Sequence, residues 1–168
     1  YGECCFNRGA LVLLPVDETG NLGEPTLLYA PVDEQQNTLN VFYPTFSPDG
    51  RWIAFNIGLG SGYDSDNAQL YVISVDGGDP IPLGAANFGE AYPNSWPRWG
   101  PLPDDDVFWL TFASKRPYGD VITDGRAQIW VAAFRPGDAE SGIDPSAPAF
   151  WLPNQDPETG NHTSFWGP

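Results

Sequence analysis

The side chains that could do chemistry are carboxylates gathered in glycine-rich loops. Asp64 and Asp66 flank a serine and are followed by an asparagine, which is how many calcium loops begin. Calcium takes about six to eight oxygen ligands, which carboxylates, amide side chains and backbone carbonyls can supply. The segment lacks the spaced glycine and the later glutamate of an EF-hand, so a structural calcium ion held by Asp64 and Asp66 is the weaker interpretation. A solvated turn is favoured, here and in the acidic turns Asp76–Asp79 and Asp104–Asp106.

His162 is the only histidine in the sequence. A metal site built on one imidazole needs carboxylates or another chain to complete it. The Gly-x-Ser-x-Gly elbow of α/β-hydrolases is absent as well. We therefore predict no catalytic residue, no certain cofactor and no enzymatic activity. A hydrogen bond to a turn is the favoured role of His162, with contact to a partner protein, or ligation of a partner's haem or metal, as the alternatives.

Cys4 and Cys5 are the only cysteines and are adjacent. Neighbouring cysteines can form a strained vicinal disulfide, or each can reach a different partner. A metal site would need further ligands, and only Glu3 is close in the sequence. Ordinary thiols, or one tie to an upstream segment, are the favoured interpretation, and the redox state of Cys4 and Cys5 is left open.

The basic and the aromatic residues each allow two interpretations. Lys115, Arg116 and Arg126 are cations in an acidic chain, and we expect them to neutralise nearby carboxylates rather than to bind an anionic substrate. Six tryptophans could form platforms on which sugars stack, namely Trp96, Trp99, Trp109, Trp130, Trp151 and Trp166. Aromatic residues at repeated positions are more often core, and that is the interpretation we favour.

The composition indicates one acidic domain of 168 residues with a ring-rich core. The formal net charge is −15, from 22 acidic and 7 basic residues, and such a surface repels phosphate backbones and anionic lipid. No apolar run is long enough to span a bilayer. We therefore expect protein partners, without nucleic-acid binding or membrane insertion. The sequence begins at Tyr1 and contains no methionine, which indicates a processed or partial polypeptide.

The sequence predicts an all-β fold organised around Tyr43–Phe55. The chain has 19 Gly and 18 Pro, and no window shows a sustained helical period. Ser47–Gly50 reads as a tight turn, because proline presets one turn position, aspartate bonds back to the backbone and glycine accepts a positive φ. Trp52, Ile53 and Phe55 then favour a buried strand. The pattern is that of a β-hairpin.

This hairpin belongs to a unit that occurs twice. Trp96–Pro101 matches Tyr43–Pro48 in its proline and aromatic positions, and Ala127–Val131 repeats Ala68–Val72 almost residue for residue. Four predicted strands that recur at roughly 50 to 60 residues are typical of β-propeller blades. We predict a single propeller segment with a blade end over 9–30, a blade over 39–84, a blade over 92–153 and a C-terminal strand over 161–166.

These ranges amount to about two and a half four-stranded blades, whereas propellers close with about four or more. Each blade buries its apolar faces against its neighbours, so an isolated pair would leave apolar surface in water. Either the chain docks on other chains, or its strands close in a different way. We favour docking, with other protein chains completing a larger propeller.

The segment Ser47–Phe55 resembles the repeat of TolB-type, WD40-like β-propellers of bacteria. Ser95–Trp99, Trp109–Gly119 and Pro148–Asp156 are similar to the C-terminal part of large secreted TolB-like proteins of myxobacteria. The resemblance covers roughly residues 9 to 166. It implies an exported propeller, periplasmic or extracellular, usually without known enzymatic activity. Some larger relatives carry a c-type haem attachment motif, but this chain has no Cys-x-x-Cys-His.

The function implied by the resemblance is that of a non-catalytic module for protein binding or assembly. One alternative is the propeller portion of a larger enzyme, such as a prolyl-oligopeptidase-like hydrolase. Another is a subunit of an extracellular haem-protein assembly. A hydrolase domain encoded directly downstream would favour the former, and haem absorbance of the natively purified complex would favour the latter.

Overall fold

The fold is all-β, as predicted. The computed structural model describes residues 8–31, 39–60, 62, 65–89, 91–101 and 106–167. Over these residues the chain forms three antiparallel sheets, and neither of its two helices reaches seven residues.

The elements follow one another as simple antiparallel meanders. The N-terminal hairpin pairs β1 (Leu11–Leu13) with β2 (Thr26–Tyr29). The first sheet has the strand order β3 (Leu39–Phe46), β4 (Trp52–Leu59), β5 (Gln69–Ser74) and β6 (Ile81–Pro82). The second sheet has the order β7 (Asn94–Trp99), β8 (Phe108–Ser114), β9 (Gln128–Phe134) and β10 (Phe150–Trp151). Helix α1 (Gly84–Asn87) leads from the first sheet to the second, and α2 (Pro136–Glu140) lies between β9 and β10.

The turn between β3 and β4 forms as its residues predict. The Ser47 amide donates to the Trp52 carbonyl at 2.8 Å, and the Trp52 amide donates to the Ser47 hydroxyl at 3.0 Å. The same hydroxyl donates to the Asp49 carboxylate at 2.5 Å. Gly50 has a φ of 70°, a conformation that glycine adopts without steric cost. The turn therefore sets the pairing of β3 with β4 next to it, where Phe46 lies opposite Ile53.

The first strand of each four-stranded sheet carries a bulge at the matched positions. The register of β3 shifts between Phe42 and Thr45, and that of β7 shifts between Ser95 and Arg98. Within the shifts, Tyr43 has a φ of 55° and Trp96 a φ of 59°. Both residues precede a proline, which disfavours the right-handed helical conformation at that position. The bulge bends each strand and turns one aromatic side chain out of the regular alternation.

Two hydrophobic cores hold the three sheets in a stack. Alternation along β4 sends Ile53 and Phe55 to one face and Trp52 and Ala54 to the other. The first pair joins Leu11 of the N-terminal hairpin in one core. The second pair packs in the other core with side chains of the second sheet, including Leu110, Phe112, Trp130 and Phe134. The first sheet is thereby covered on both faces.

The prediction of a C-terminal strand over 161–166 is wrong. Residues 160–167 form no regular secondary structure. A strand requires a continuous ladder of backbone hydrogen bonds, and this segment has none. Its backbone is held at one point, where the Asn161 amide donates to the Ala127 carbonyl at 2.7 Å. Its side chains nevertheless lie against the second sheet, since the hydroxyls of Thr111 and Ser164 are 2.5 Å apart.

Candidate functional site

Of the two calcium candidates, only Asp66 lies among the residues that the structure describes. The Asp66 carboxylate lies 2.9 Å from the Lys115 ammonium, so its charge is already paired. Asp64 lies outside the described residues, as do Cys4, Cys5 and Asp104. Among the residues that are described, no group of three His, Cys, Asp or Glu side chains is placed to hold a metal ion. A calcium ion at Asp64 and Asp66 stays a prediction, and the ion pair to Lys115 weighs against it.

Asp17, in the turn of the N-terminal hairpin, has its acceptor positions filled by the turn itself. Its carboxylate accepts hydrogen bonds from the Thr19 hydroxyl at 2.7 Å and from the Asn21 amide at 2.8 Å. These hydrogen bonds, the Thr19 hydroxyl first among them, lower the pKa of Asp17 to about 2. The carboxylate therefore stabilises the turn and has little capacity left for a cation.

His162 is exposed and lies at the edge of a cavity of about 10 Å³ that is also lined by Ser65, Ser114 and Lys115. A space of this size holds at most one water molecule. Within the described part of the chain the imidazole has no hydrogen-bond partner, so the structural role favoured from the sequence has no hydrogen bond to support it. Contact with a partner protein stays a prediction for His162.

Among the residues that the structure describes, Arg116 pairs with no carboxylate, in contrast to the expectation from the sequence. The side chain is 4% exposed and donates to neutral oxygens: the Ala86 carbonyl at 2.6 Å, the Asn94 amide oxygen at 2.5 Å and the Ser114 hydroxyl at 3.0 Å. Its guanidinium also lies over the ring of Trp130, 4.9 Å from the centroid. Burial lowers the pKa of Arg116 to about 10.

The Arg116 contacts are internal, because Ala86 belongs to α1 and Asn94 begins β7. Asn94 is itself fully buried, and its carbonyl accepts from the Asn56 side chain of β4 at 2.7 Å. A chain of polar groups thus ties the first sheet to the second. Arg116 is a structural residue, whereas Lys115 and Arg126 pair with Asp66 and Asp124 as expected.

Two apolar surfaces remain at opposite ends of the stack. The first, which we call the hairpin face, lies on the N-terminal hairpin. Its five aliphatic side chains are between 43% and 67% exposed, and they are Val12, Leu14, Val16, Leu22 and Leu27. Val12 pairs with Leu27 in the hairpin register, and Val16 is bridged to Leu22. The paired residues form a patch on one side of the hairpin, while Leu11 and Tyr29 face the first sheet.

The second surface, which we call the aromatic end, lies on the second sheet. Its exposed side chains are Trp109, Phe150, Leu152, Phe165 and Trp166. The rings of Trp109 and Phe150 meet edge to face at 6.3 Å. Phe165 is 83% exposed, and with Phe46, Arg98 and Trp166 it lines a cavity of about 320 Å³. Aromatic side chains exposed in this way are the usual anchors of protein contacts.

Trp52 and Trp109 occupy matched positions in the repeat but have different surroundings. Trp52 begins β4, is 6% exposed and packs edge to face on Phe134 of the second sheet at 5.7 Å. Trp109 is the second residue of β8 and is 38% exposed. The second sheet covers Trp52. The same face of the second sheet has no further sheet over it in the described part of the chain.

The C-terminal segment, residues 161–166, contacts the second sheet in the same way that β7 contacts the first sheet. The indole of Trp99 donates to the Thr45 carbonyl at 3.1 Å, and that of Trp166 donates to the Arg98 carbonyl at 3.4 Å. Thr45 and Arg98 are themselves matched residues of β3 and β7. Residues 161–166 therefore occupy the place of a first strand that would follow β10.

The amide groups at the start of these two segments are equivalent as well. The backbone amides of Asn94 and Asn161 donate to the carbonyls of Ala68 at 2.8 Å and Ala127 at 2.7 Å. Their side-chain amides donate to Gln69 and Gln128 at 3.2 and 3.3 Å. This equivalence was not among the predictions from the sequence. Its signal was visible, because an asparagine precedes a tryptophan by five residues in both 94–99 and 161–166.

Comparison with known proteins gives no match: no protein-family model, no curated protein and no solved structure is significantly similar to this chain. Across the described residues, no helix is long and apolar enough to cross a membrane.

Proposed function

We propose that this chain is a non-catalytic segment of a β-propeller that is exported and binds other protein chains, with which it completes a larger assembly. The first and second sheets are its two blades. The N-terminal hairpin supplies the outer pair of strands of a preceding blade, and 161–166 supplies the inner segment of a following one. The TolB-type resemblance of Ser47–Phe55 supports export to the periplasm or the outside of the cell.

The observation that carries this proposal is the exposure of Trp109 at the position where the first blade buries Trp52. In a repeat protein, each unit is stabilised by the interface with its neighbour, and an uncovered internal face is costly in water. Burying the exposed part of one indole and its surroundings contributes on the order of 1 to 2 kcal/mol by the area rule. The aromatic end is therefore a surface built to be covered by protein.

The test is a measurement of mass in solution with a matched pair of variants. The purified chain, alone and mixed with the polypeptides encoded next to it, is followed by sedimentation over a range of concentrations. We expect a species heavier than the 18.3 kDa monomer, formed with any protein chain including a second copy. Trp109→Asp should abolish this species. Ile143→Asp should leave it intact, because Ile143 is equally apolar and 58% exposed but lies outside both apolar surfaces.

Two outcomes would contradict the proposal. A chain that stays at 18.3 kDa with every neighbouring polypeptide, up to the highest soluble concentration, is not an assembly module. The same holds if Trp109→Asp and Ile143→Asp have equal effects, because the contact then does not involve the aromatic end.

A further inference from the structure

A cavity of about 320 Å³ lies where the ends of β3 and β7 meet the C-terminal segment. Its walls are rich in rings, and four of its described lining residues are Phe46, Trp99, Phe165 and Trp166. Phe46 is 54% exposed and Trp166 is 41% exposed, so both offer ring surface to a molecule in the cavity. Sites for small ligands have volumes of about 300 to 1,000 Å³. The cavity is therefore large enough for one small organic molecule.

Two of these rings are held in place by hydrogen bonds to the strands. The Trp99 indole donates to the Thr45 carbonyl at 3.1 Å. The Trp166 indole donates to the Arg98 carbonyl at 3.4 Å. The Trp166 ring also lies close to Gly100, where a Cβ atom would be 3.4 Å from it. Walls that are positioned before binding lower the entropic cost of binding a ligand.

Arg98 supplies the charge of the cavity. Among the described lining residues it alone is charged. A guanidinium has five N–H groups, and within the described part of the chain that of Arg98 donates one hydrogen bond, to the Pro97 carbonyl at 3.2 Å. Arg51, by contrast, pairs with Glu140 at 2.6 Å. Arg98 therefore keeps donors that a ligand can use.

A carboxylate is the anion that fits Arg98 best. The planar guanidinium presents two parallel N–H groups, which match the two oxygens of a carboxylate. One guanidinium balances one negative charge, and the net charge of −15 repels ligands that carry several. Phosphates with two or more charges are therefore disfavoured relative to a monocarboxylate.

We propose that this cavity binds a small organic acid that carries one carboxylate on a flat aromatic body. The carboxylate pairs with Arg98, and the aromatic body packs against the rings of Phe165 and Trp166. The cavity shares these two rings with the aromatic end, whereas Arg98 and Phe46 lie outside that surface. The inference concerns a single chain and does not rest on the proposed function.

The test is an NMR titration of the purified 168-residue chain with benzoate, with benzamide and acetate as matched probes. Benzamide keeps the ring and removes the charge, whereas acetate keeps the charge and removes the ring. We expect benzoate to shift the backbone amide of Gly100 and the indole N–H of Trp166. We also expect it to bind at least about tenfold more tightly than either probe, because only benzoate makes both contacts.

Three variants assign the contacts to side chains. Arg98→Gln should weaken benzoate binding at least about tenfold, because a charge-assisted hydrogen bond is lost. Arg51→Gln is the matched control and should leave the affinity unchanged, since Arg51 is exposed and lies outside the cavity. Phe165→Ala should weaken the binding of benzoate and leave that of acetate unchanged. Phe165 is 83% exposed, so this variant should fold like the unaltered chain.

Three results would overturn the inference. Benzoate could leave Gly100 and Trp166 unshifted up to its limit of solubility. Benzamide or acetate could bind as tightly as benzoate, which would show that the cavity does not recognise the charge and the ring together. Finally, Arg98→Gln and Arg51→Gln could weaken binding equally, which would assign it to the overall charge of the chain. Each of these results would leave the assembly tested with Trp109→Asp unaffected.

Discussion

The rings of Tyr43 and Trp96 stack face to face, with centroids 3.9 Å apart and planes inclined by 22°. The two residues are matched positions of the repeat, and each sits in the bulge of the first strand of its sheet at positive φ. The bulges therefore bring equivalent rings of neighbouring sheets into direct contact.

This contact should contribute measurably to stability. We expect a double-mutant cycle of Tyr43→Leu and Trp96→Leu to give a coupling free energy of about 1 kcal/mol, as for other stacked aromatic pairs. Leucine also has a Cβ atom, so the cost of the positive φ is retained at both positions. The cycle therefore isolates the contact between the two rings. Urea unfolding followed by circular dichroism provides the four free energies, and strictly additive single effects would contradict the prediction.

Arg116 should be irreplaceable by lysine. Arg116→Lys keeps the charge, but one ammonium cannot reach the Ala86 carbonyl, the Asn94 amide oxygen and the Ser114 hydroxyl together. Leaving two buried acceptors unpaired costs about 2 to 4 kcal/mol of unfolding free energy. The matched control is Arg126→Lys, where the side chain is 45% exposed beside Asp124 and the change should stay within about 0.5 kcal/mol. Equal losses in the two variants would show that the buried network is not responsible.

Trp52 and Trp109 should respond differently to the same substitution. Trp52→Ala removes a ring buried between the two sheets, and we expect a loss of about 3 to 5 kcal/mol in unfolding free energy. Trp109→Ala removes a partly exposed ring, and the loss in the monomer should be smaller by at least about 2 kcal/mol. The two unfolding free energies are measured by denaturant unfolding at protein concentrations too low for the chain to associate. Similar losses would mean that Trp109 is already fully packed within the single chain.

The turn at Asp17 should be sensitive to acid. The pKa of Asp17 is lowered from 3.8 to about 2 by hydrogen bonds from Thr19 and Asn21. A carboxyl with a lowered folded pKa stabilises the fold above its unfolded pKa, and this contribution is lost as the pH falls from about 4 towards 2. NMR titration of the Asp17 side chain should show its midpoint near 2. In the unaltered chain, acid should lower the hydrogen-exchange protection of the N-terminal hairpin, and Asp17→Asn should abolish this effect of acid. If the hairpin of Asp17→Asn still loses protection in acid, other groups are responsible.

Local signals predicted much of the fold. The turn at Ser47–Gly50 and the matched strands Ala68–Val72 and Ala127–Val131 depend on neighbours in sequence, since turn chemistry and alternation are set within a few residues. The all-β class follows from the same signals. The bulges at Tyr43 and Trp96 could have been suspected from the matched prolines.

Contacts between distant residues were not predictable. Arg116 finds its partners Ala86 and Asn94 across 30 and 22 residues, and Lys115 finds Asp66 across 49. No local pattern distinguishes a cation that meets a carboxylate from one that meets carbonyls and rings. The strand predicted over 161–166 failed for a related reason, because a strand exists only where a neighbouring strand offers its backbone.

The edges of the sheets have a consequence for how far assembly can go. Each four-stranded sheet has at one edge a strand of two residues, β6 or β10, and β6 contains Pro82. The strands at the opposite edges, β3 and β7, contain Pro44 and Pro97, which have no amide hydrogen to donate. Blunted edges of this kind do not template further backbone pairing. Concentrated solutions of the chain should therefore resist fibril formation, and growth should be confined to the broad faces at the ends of the stack.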